Sequence, residues 1–299
     1  MNTTAKLLID CKNVLGEGIQ WRADLQRVFW TDIYGNQLHS CAEDGSDHQF
    51  ILLEDHLCAF AFLENDKSVL LGAFKDGLYW FDRTNGKRDL IKRYQQNNRT
   101  SRMNDGNLDR QGRFIVGGVD ENAMNPTTDV WQIDANNIVS GDIPILLENI
   151  GCANSICFSV NGDTLYFADS TDKHIFAYDY DPTNGVLGES RVFVTLEESE
   201  GFPDGSTIDA NGGLWNAQFK CGVVQQFHAD GQRGTRIELP VPHATCCAIG
   251  GKDMNKMFIT TMSADMSSIE LAEAPLSGGL FVADINEKGL EHGFFNTNK

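Results

Sequence analysis

Short apolar segments that end in a small or polar residue recur along the chain. There are six copies: V-F-W-T-D at 28–32, V-L-L-G-A at 69–73, R-F-I-V-G at 113–117, L-Y-F-A-D at 165–169, G-L-W-N-A at 213–217 and M-F-I-T-T at 257–261. Aligned on Phe29, Leu70, Phe114, Tyr166, Leu214 and Phe258, they follow one another at steps of 41, 44, 52, 48 and 44 residues. Steps of this length are typical of a four-stranded propeller blade.

Each copy is predicted to be the second strand of a hairpin. A turn rich in Asn, Asp and Gly precedes most copies, and a segment with apolar residues at period two follows each of them. The last copy leaves little room for an outer strand, whereas K-L-L-I-D at 6–10 has no partner. The sequence therefore predicts an all-β, six-bladed β-propeller of four-stranded blades. Residues 1–299 form one domain, and the N-terminal strand closes the ring.

Composition narrows the range of partners. Forty-two acidic residues against 24 basic ones give a net charge of −18, which repels nucleic acid and anionic membrane surfaces. The sequence has no run of eighteen apolar residues and no signal-peptide pattern, so we expect a cytoplasmic protein that contacts no membrane. Eight cysteines without a C-x-x-C pair are expected to be reduced and mostly buried.

The first strand of each propeller blade lines the central channel, so residues near its start converge from all blades. At ten to twelve residues before the aligned positions lie Glu17, Cys58, Arg102, Asn104, Asn154, Asp204 and Cys246. Taken singly, Asp204 could be an ordinary turn residue, Asn154 a strand-start amide and Glu17 a solvated loop acid. Their shared offset favours the channel instead.

Glu17, Asn154 and Asp204 offer two carboxylates and an amide oxygen. Hard oxygen donors of this kind suit one divalent cation, which could be calcium, magnesium, manganese, zinc or iron(II). Arg102 cannot bind a cation, and with Asn104 it is better suited to donate hydrogen bonds to a substrate oxygen. A surface turn is the alternative for these two residues. The sequence contains no H-E-x-x-H, G-x-S-x-G or G-x-x-x-x-G-K motif.

The chain resembles the senescence-marker/regucalcin and gluconolactonase family of sugar lactonases. The motifs that carry the resemblance are L-G-E-G-I-Q-W, S-R-M-N-D-G-N-L-D-R-Q-G-R-F-I-V-G, A-N-S-I-C-F-S-V-N-G-D-T-L-Y-F-A-D-S and F-P-D-G-S-T-I-D-A-N-G-G-L-W. The resemblance implies a six-bladed propeller that opens a small sugar lactone with a single divalent metal. Glu17, Asn154 and Asp204 would then be metal ligands, Asp204 also the proton-handling acid, and Arg102 and Asn104 substrate-binding residues.

The resemblance also implies a substrate-binding glutamate after the F-I-V-G strand, where Glu121 in G-V-D-E-N is the nearest candidate. This segment departs from the usual pattern, which leaves the preferred pentono- or hexonolactone open. Two alternatives to a lactonase remain. One is a promiscuous calcium-dependent esterase or phosphotriesterase, whose chemistry usually employs histidines at the metal. The other is a non-catalytic propeller that binds a metal or a protein.

Overall fold

Six sheets follow one another along the chain, as the computed structural model shows for residues 2–94, 100–122 and 124–297. Each sheet has four strands paired with antiparallel neighbours, and a fifth strand joins one of them. The first strands of consecutive sheets contact one another in cyclic order, and the sixth contacts the first. The predicted six-bladed β-propeller is therefore confirmed.

Strands β1 (Asn2–Thr4) and β2 (Lys6–Ile9) precede the first complete blade. Blades 1 to 3 contain β3 (Gly16–Arg22), β4 (Arg27–Asp32), β5 (Gln37–Cys41), β6 (Gln49–Leu52), β7 (Leu57–Phe62), β8 (Val69–Phe74), β9 (Gly77–Asp82), β10 (Arg88–Arg93), β11 (Ser101–Leu108), β12 (Phe114–Asp120), β13 (Thr128–Ile133) and β14 (Ile145–Ile150). Blades 4 to 6 contain β15 (Ala153–Phe158), β16 (Thr164–Asp169), β17 (His174–Asp181), β18 (Val186–Thr195), β19 (Phe202–Ile208), β20 (Leu214–Phe219), β21 (Val223–Phe227), β22 (Arg233–Glu238), β23 (Ala244–Gly250), β24 (Lys256–Thr261) and β25 (Leu280–Asp284). Two short helices, α1 (Ala135–Ser140) and α2 (Ser268–Glu273), lie in loops of blades 3 and 6.

The six repeated apolar segments form the second strands β4, β8, β12, β16, β20 and β24. Their aligned residues are buried, from 0% exposure at Leu70, Phe114 and Leu214 to 7% at Tyr166. Neighbouring blades cover both faces of each second strand, so apolar residues fill consecutive positions rather than alternate ones. The repeated run in the sequence is thus the buried centre of each blade.

The N-terminal segment closes the ring as predicted. Strand β2 pairs antiparallel with β25 of blade 6, with Lys6 opposite Val282 and Leu7 opposite Phe281. Strand β1, which pairs in parallel with β22 at the outer edge of blade 5, was not predicted. The N-terminus therefore connects two blades. At the other end of the chain, the Phe295 amide donates to the Phe62 carbonyl at 2.7 Å, where β7 ends.

No helix among the described residues is long and apolar enough to cross a membrane. All eight cysteines are free thiols, and six of them are buried, as the sequence predicted. Only Cys11 and Cys221 are partly accessible.

Candidate active site

The predicted site residues lie on first strands, near the end at which those strands begin. Glu17 is in β3, Asn154 in β15 and Asp204 in β19, whereas Arg102 and Asn104 are both in β11. Each of these strands has an irregular pairing with its second strand just there. The shifts fall between Glu17 and Gln20, Met103 and Gly106, Asn154 and Cys157, and Pro203 and Ser206. Such bulges reorient side chains relative to the sheet.

Two of the bulges contain a left-handed residue directly after the functional side chain. Gly18 follows Glu17 with φ +57°, and Ser155 follows Asn154 with φ +58°. Glycine adopts this conformation freely, whereas a serine incurs a cost of about 1 kcal/mol. Ser155 has a compensating contact, because its buried hydroxyl donates to the Asp204 carbonyl at 2.7 Å. The Asn216 amide donates to the same carbonyl at 2.9 Å.

Gly205, which follows Asp204, is required by packing. A Cβ atom on Gly205 would lie 2.5 Å from the Cys246 sulfur of the next blade, far closer than van der Waals contact. The P-D-G sequence thus holds Asp204 where two first strands approach closely. Cys58, in β7, is buried near Arg102, and burial raises the pKa of its thiol to about 12.

Glu17 and Asp204 repel each other's charge inside the channel. Burial raises the pKa of both carboxyl groups, and the charge of Glu17 raises that of Asp204 further. A third carboxylate, Asp105, adds to the repulsion on both. Burial raises the pKa of Asp105 itself to about 6, although its Oδ2 accepts from the Ile156 amide at 3.0 Å. The site therefore brings three buried carboxyl groups together, and burial with their mutual repulsion outweighs the opposing effect of the Arg102 charge on Glu17 and Asp204.

Sequence reasoning missed Asp105. It lies nine residues before Phe114, just outside the offset that identified the other residues. The bulge between Met103 and Gly106 brings it into the channel one residue after Asn104. The available signal was an acidic residue in the middle of a first strand. Such a position is normally buried, and burying a carboxylate is costly unless it has a partner.

The amide of Asn154 presents its oxygen to the site. Its Nδ2 donates to the Ser170 hydroxyl at 2.8 Å, and that hydroxyl in turn donates to the Pro203 carbonyl at 2.8 Å. These two hydrogen bonds determine which of the two amide positions of Asn154 is the nitrogen and which is the oxygen. The Oδ1 accepts from Asn104 Nδ2 at 3.2 Å and keeps a second lone pair for another partner.

Arg102, Asn104 and Glu121 form a polar arm beside these acids. Arg102 Nη1 donates to Asn104 Oδ1 at 2.7 Å, and Arg102 Nε donates to Glu121 Oε1 at 2.8 Å. Arg102 is buried, so the surface-turn alternative for this residue is wrong. Partial burial raises the pKa of Glu121, but the charges of Arg102 and Lys75 outweigh that effect and hold the pKa below its ordinary value.

These donors fit a hard divalent cation. Glu17 and Asp204 supply charge, and the orientation of Asn154 supplies a neutral oxygen. Among the described residues, no three His, Cys, Asp or Glu side chains are grouped closely enough to bind a metal. A cation here would accordingly depend on the Asn154 amide as its third protein ligand.

Fold and site together define a six-bladed propeller with an acidic, oxygen-rich centre at one end of its channel. The chain belongs to the SMP-30/gluconolactonase/LRE-like family, whose model matches residues 15–263. It is 35% identical to an L-arabinolactonase from Azospirillum brasilense over 96% of this chain and 93% of that one. It is 26% identical to a pentonolactonase from Haloferax volcanii, over 96% of each chain. A calcium-binding protein, regucalcin, from Agrobacterium tumefaciens superposes with a TM-score of 0.91 at 26% identity, covering 99% and 98% of the two chains.

Proposed function

We propose that this protein hydrolyses a sugar lactone, a pentono- or hexonolactone, to its aldonic acid with the help of one divalent cation. The observation that carries the proposal is the placement of the Asn104–Arg102–Glu121 arm directly beside the carboxylate pair. Groups that can bind sugar hydroxyls thus lie next to a centre whose bound cation would polarise the lactone carbonyl. Relatives that share nearly the whole chain are named as lactonases, which supports the same reaction class.

Glu17, Asn154 and Asp204 would hold the cation, which when bound polarises the lactone carbonyl. Asp204 takes a proton from the attacking water as the new bond to the carbonyl carbon forms. The bond between that carbon and the ring oxygen then breaks, and the proton passes from Asp204 to the departing oxygen. The overall reaction is lactone plus water giving the open hydroxy acid. It needs no covalent enzyme intermediate.

The polar arm positions the sugar. Arg102 is held at both ends, by Asn104 and by Glu121, so its guanidinium keeps one orientation when substrate arrives. Glu121 stays ionised because its pKa is lowered, and it can accept a hydrogen bond from a sugar hydroxyl. These residues supply orientation rather than proton transfer.

The esterase or phosphotriesterase alternative lacks support in the channel. No histidine occurs in the first strands β3, β7, β11, β15, β19 and β23, among which Glu17, Asn154 and Asp204 lie. His292, which lines the channel near Asp105, comes from the C-terminal segment. A non-catalytic propeller would be favoured by a flat apolar face, whereas the candidate site offers carboxyl groups, amides and an arginine.

The test is a proton-release assay on a panel of pentono- and hexonolactones, with an aryl acetate and a phosphotriester as comparison substrates. The proposal predicts rapid acid release from at least one lactone and far slower turnover of both comparison substrates. Preference for the aryl ester or the phosphotriester would support the alternative hydrolase. No turnover of any compound, with metal bound, would point to a binding protein.

A further inference from the structure

A continuous series of hydrogen bonds runs from the acidic centre to the rim of the channel. Asn104 Nδ2 donates to Asn154 Oδ1 at 3.2 Å, and Arg102 Nη1 donates to Asn104 Oδ1 at 2.7 Å. Arg102 Nε then donates to Glu121 Oε1 at 2.8 Å. The series ends where Lys75 Nζ donates to Glu121 Oε2 at 3.3 Å. A sugar bound along this series would have its carbonyl at one end and its last hydroxyl at the other.

Lys75 is positioned by its main chain. It lies in the turn between β8 and β9, and its amide donates to the His56 carbonyl at 2.8 Å. The side chain reaches from blade 2 to Glu121 of blade 3 and remains 38% exposed. An ammonium has three donors. Within the part of the chain that the structure describes, Glu121 is its hydrogen-bonding partner, so donors remain for a ligand.

Tyr34 holds the opposite side of Glu121. Its hydroxyl donates to Glu121 Oε1 at 3.2 Å and accepts from Arg102 Nη2 at 3.4 Å. The Arg102 guanidinium carbon also lies 5.4 Å from the centre of the Tyr34 ring. Tyr34 therefore helps to hold both the Glu121 carboxylate and the Arg102 guanidinium in place.

The rim combines an acceptor with a donor. The Glu121 carboxylate can accept from a hydroxyl, while the neighbouring Lys75 ammonium can donate to the oxygen of that same hydroxyl. An alcohol is a neutral group that satisfies both at once, and a sugar carries several of them. We propose that Lys75, paired with Glu121, is a specificity-determining residue that binds the sugar hydroxyl farthest from the lactone carbonyl. This inference rests on the proposed lactonase function.

The test compares two substrates, the preferred lactone and its analogue lacking the hydroxyl on the carbon farthest from the carbonyl. Lys75→Met should lower kcat/KM for the hydroxylated lactone by about 10- to 100-fold, chiefly through KM, the range for a lost charge-assisted hydrogen bond. The same variant should change kcat/KM for the deoxy analogue by less than about threefold, because that contact is already absent. Lys75→Arg, which keeps a donor, should recover part of the loss.

Lys67→Met is the matched control. Lys67 is a lysine of the same blade, 42% exposed and ion-paired with Asp24 at 2.6 Å, in the turn between β7 and β8. It should leave both substrates unaffected. Equal losses on the two substrates with Lys75→Met, or no loss on either, would overturn the specificity role while leaving the lactonase proposal intact. A wild-type protein that opens no lactone would overturn both.

Discussion

Two kinds of acidic side chain occupy the site, and their surroundings separate their roles. Burial and mutual repulsion raise the pKa of Glu17 and Asp204. Glu121 lies between Arg102 and Lys75, which lower its pKa. A cation would relieve the first pair, whereas Glu121 already has its counter-ions. Residues of the first kind suit metal binding and proton transfer, and Glu121 suits substrate recognition.

Asp204→Asn should therefore lower kcat by about 10²- to 10⁴-fold, because the amide cannot accept the water proton. Arg102→Ala should act mainly on KM, because Arg102 orients the sugar without transferring protons. Steady-state kinetics on one lactone separates the two effects. If Arg102→Ala lowered kcat alone while Asp204→Asn raised KM alone, the two roles would have to be exchanged.

Glu17→Gln should stabilise the metal-free protein at pH 8. A raised pKa means that the folded state holds the Glu17 proton more tightly than the unfolded chain. The stability of the metal-free wild type should consequently fall as pH rises from about 5, near the unfolded pKa, through the folded pKa. Removing the charge should raise the Tm of chelator-treated protein by about 2–4 °C, the shift for roughly 1 kcal/mol in a large domain. At pH 3, where the carboxyl group is protonated in both states, the Tm values should agree.

At this scale the shared offset selected candidate residues of the first strands, the resemblance added Glu121, and residues with neither signal were missed. Glu17, Asn154 and Asp204 occur at equivalent places in their repeats, so one alignment found all three. Lys75 and Tyr34 lie in turns after second strands, where lysine and tyrosine are unremarkable. Only the three-dimensional approach of blades 1, 2 and 3 brings them to Glu121.

At the scale of the strand, all six first strands have a bulge near the end where they begin, and the site lies at that end. The sequence predicted which segments pair, because the buried second strands and the turn residues are local signals. It did not predict the register shifts, which depend on contacts between blades such as the Ser155 hydroxyl with the Asp204 carbonyl. Gly18 in G-E-G and Gly205 in P-D-G are local traces of these shifts in the sequence.

Gly18→Ala tests the bulge of β3. The nearest atom to an added Cβ would be 3.6 Å away, so the cost arises from the φ of +57° rather than from a clash. We expect about 1–2 kcal/mol of destabilisation and weaker metal binding, because the backbone that directs Glu17 relaxes. Calorimetric titration of the metal provides the measurement.

Gly212→Ala is the control, since Gly212 has φ +84° and no atom within 4 Å of an added Cβ. It lies in the turn between β19 and β20, at the end of β19 away from Asp204. It should show a similar stability cost with unchanged metal affinity. Equal losses of metal affinity in both variants would contradict a specific role for the β3 bulge.

For the whole molecule, closure of the ring keeps the first strands together. Strand β1 joins β22 as a fifth strand of blade 5, whereas β2 joins β25 as the fourth strand that blade 6 otherwise lacks. The number of strands in the six repeats predicted the pairing of β2 with the last blade. The pairing of β1 with β22 could not be predicted, because a three-residue strand is too short to show a periodic pattern in the sequence.

Deletion of residues 1–10 should lower the Tm by well over 5 °C and promote association, because the edge of β25 becomes available to other chains. Deletion of residues 1–4 alone removes β1 and should have a smaller effect. Thermal unfolding with size-exclusion chromatography would show both. Identical Tm values for the full chain and the 1–10 deletion would mean that closure does not depend on β2.

The central claim is that a single divalent cation at Glu17, Asn154 and Asp204 enables lactone hydrolysis. The most direct test is to strip the protein with chelator, verify its metal content, and follow acid release from its best lactone while a divalent metal is added back. The account predicts negligible enzymatic turnover at the start and a rise that saturates at one metal per chain. Full turnover by verified metal-free protein would contradict it.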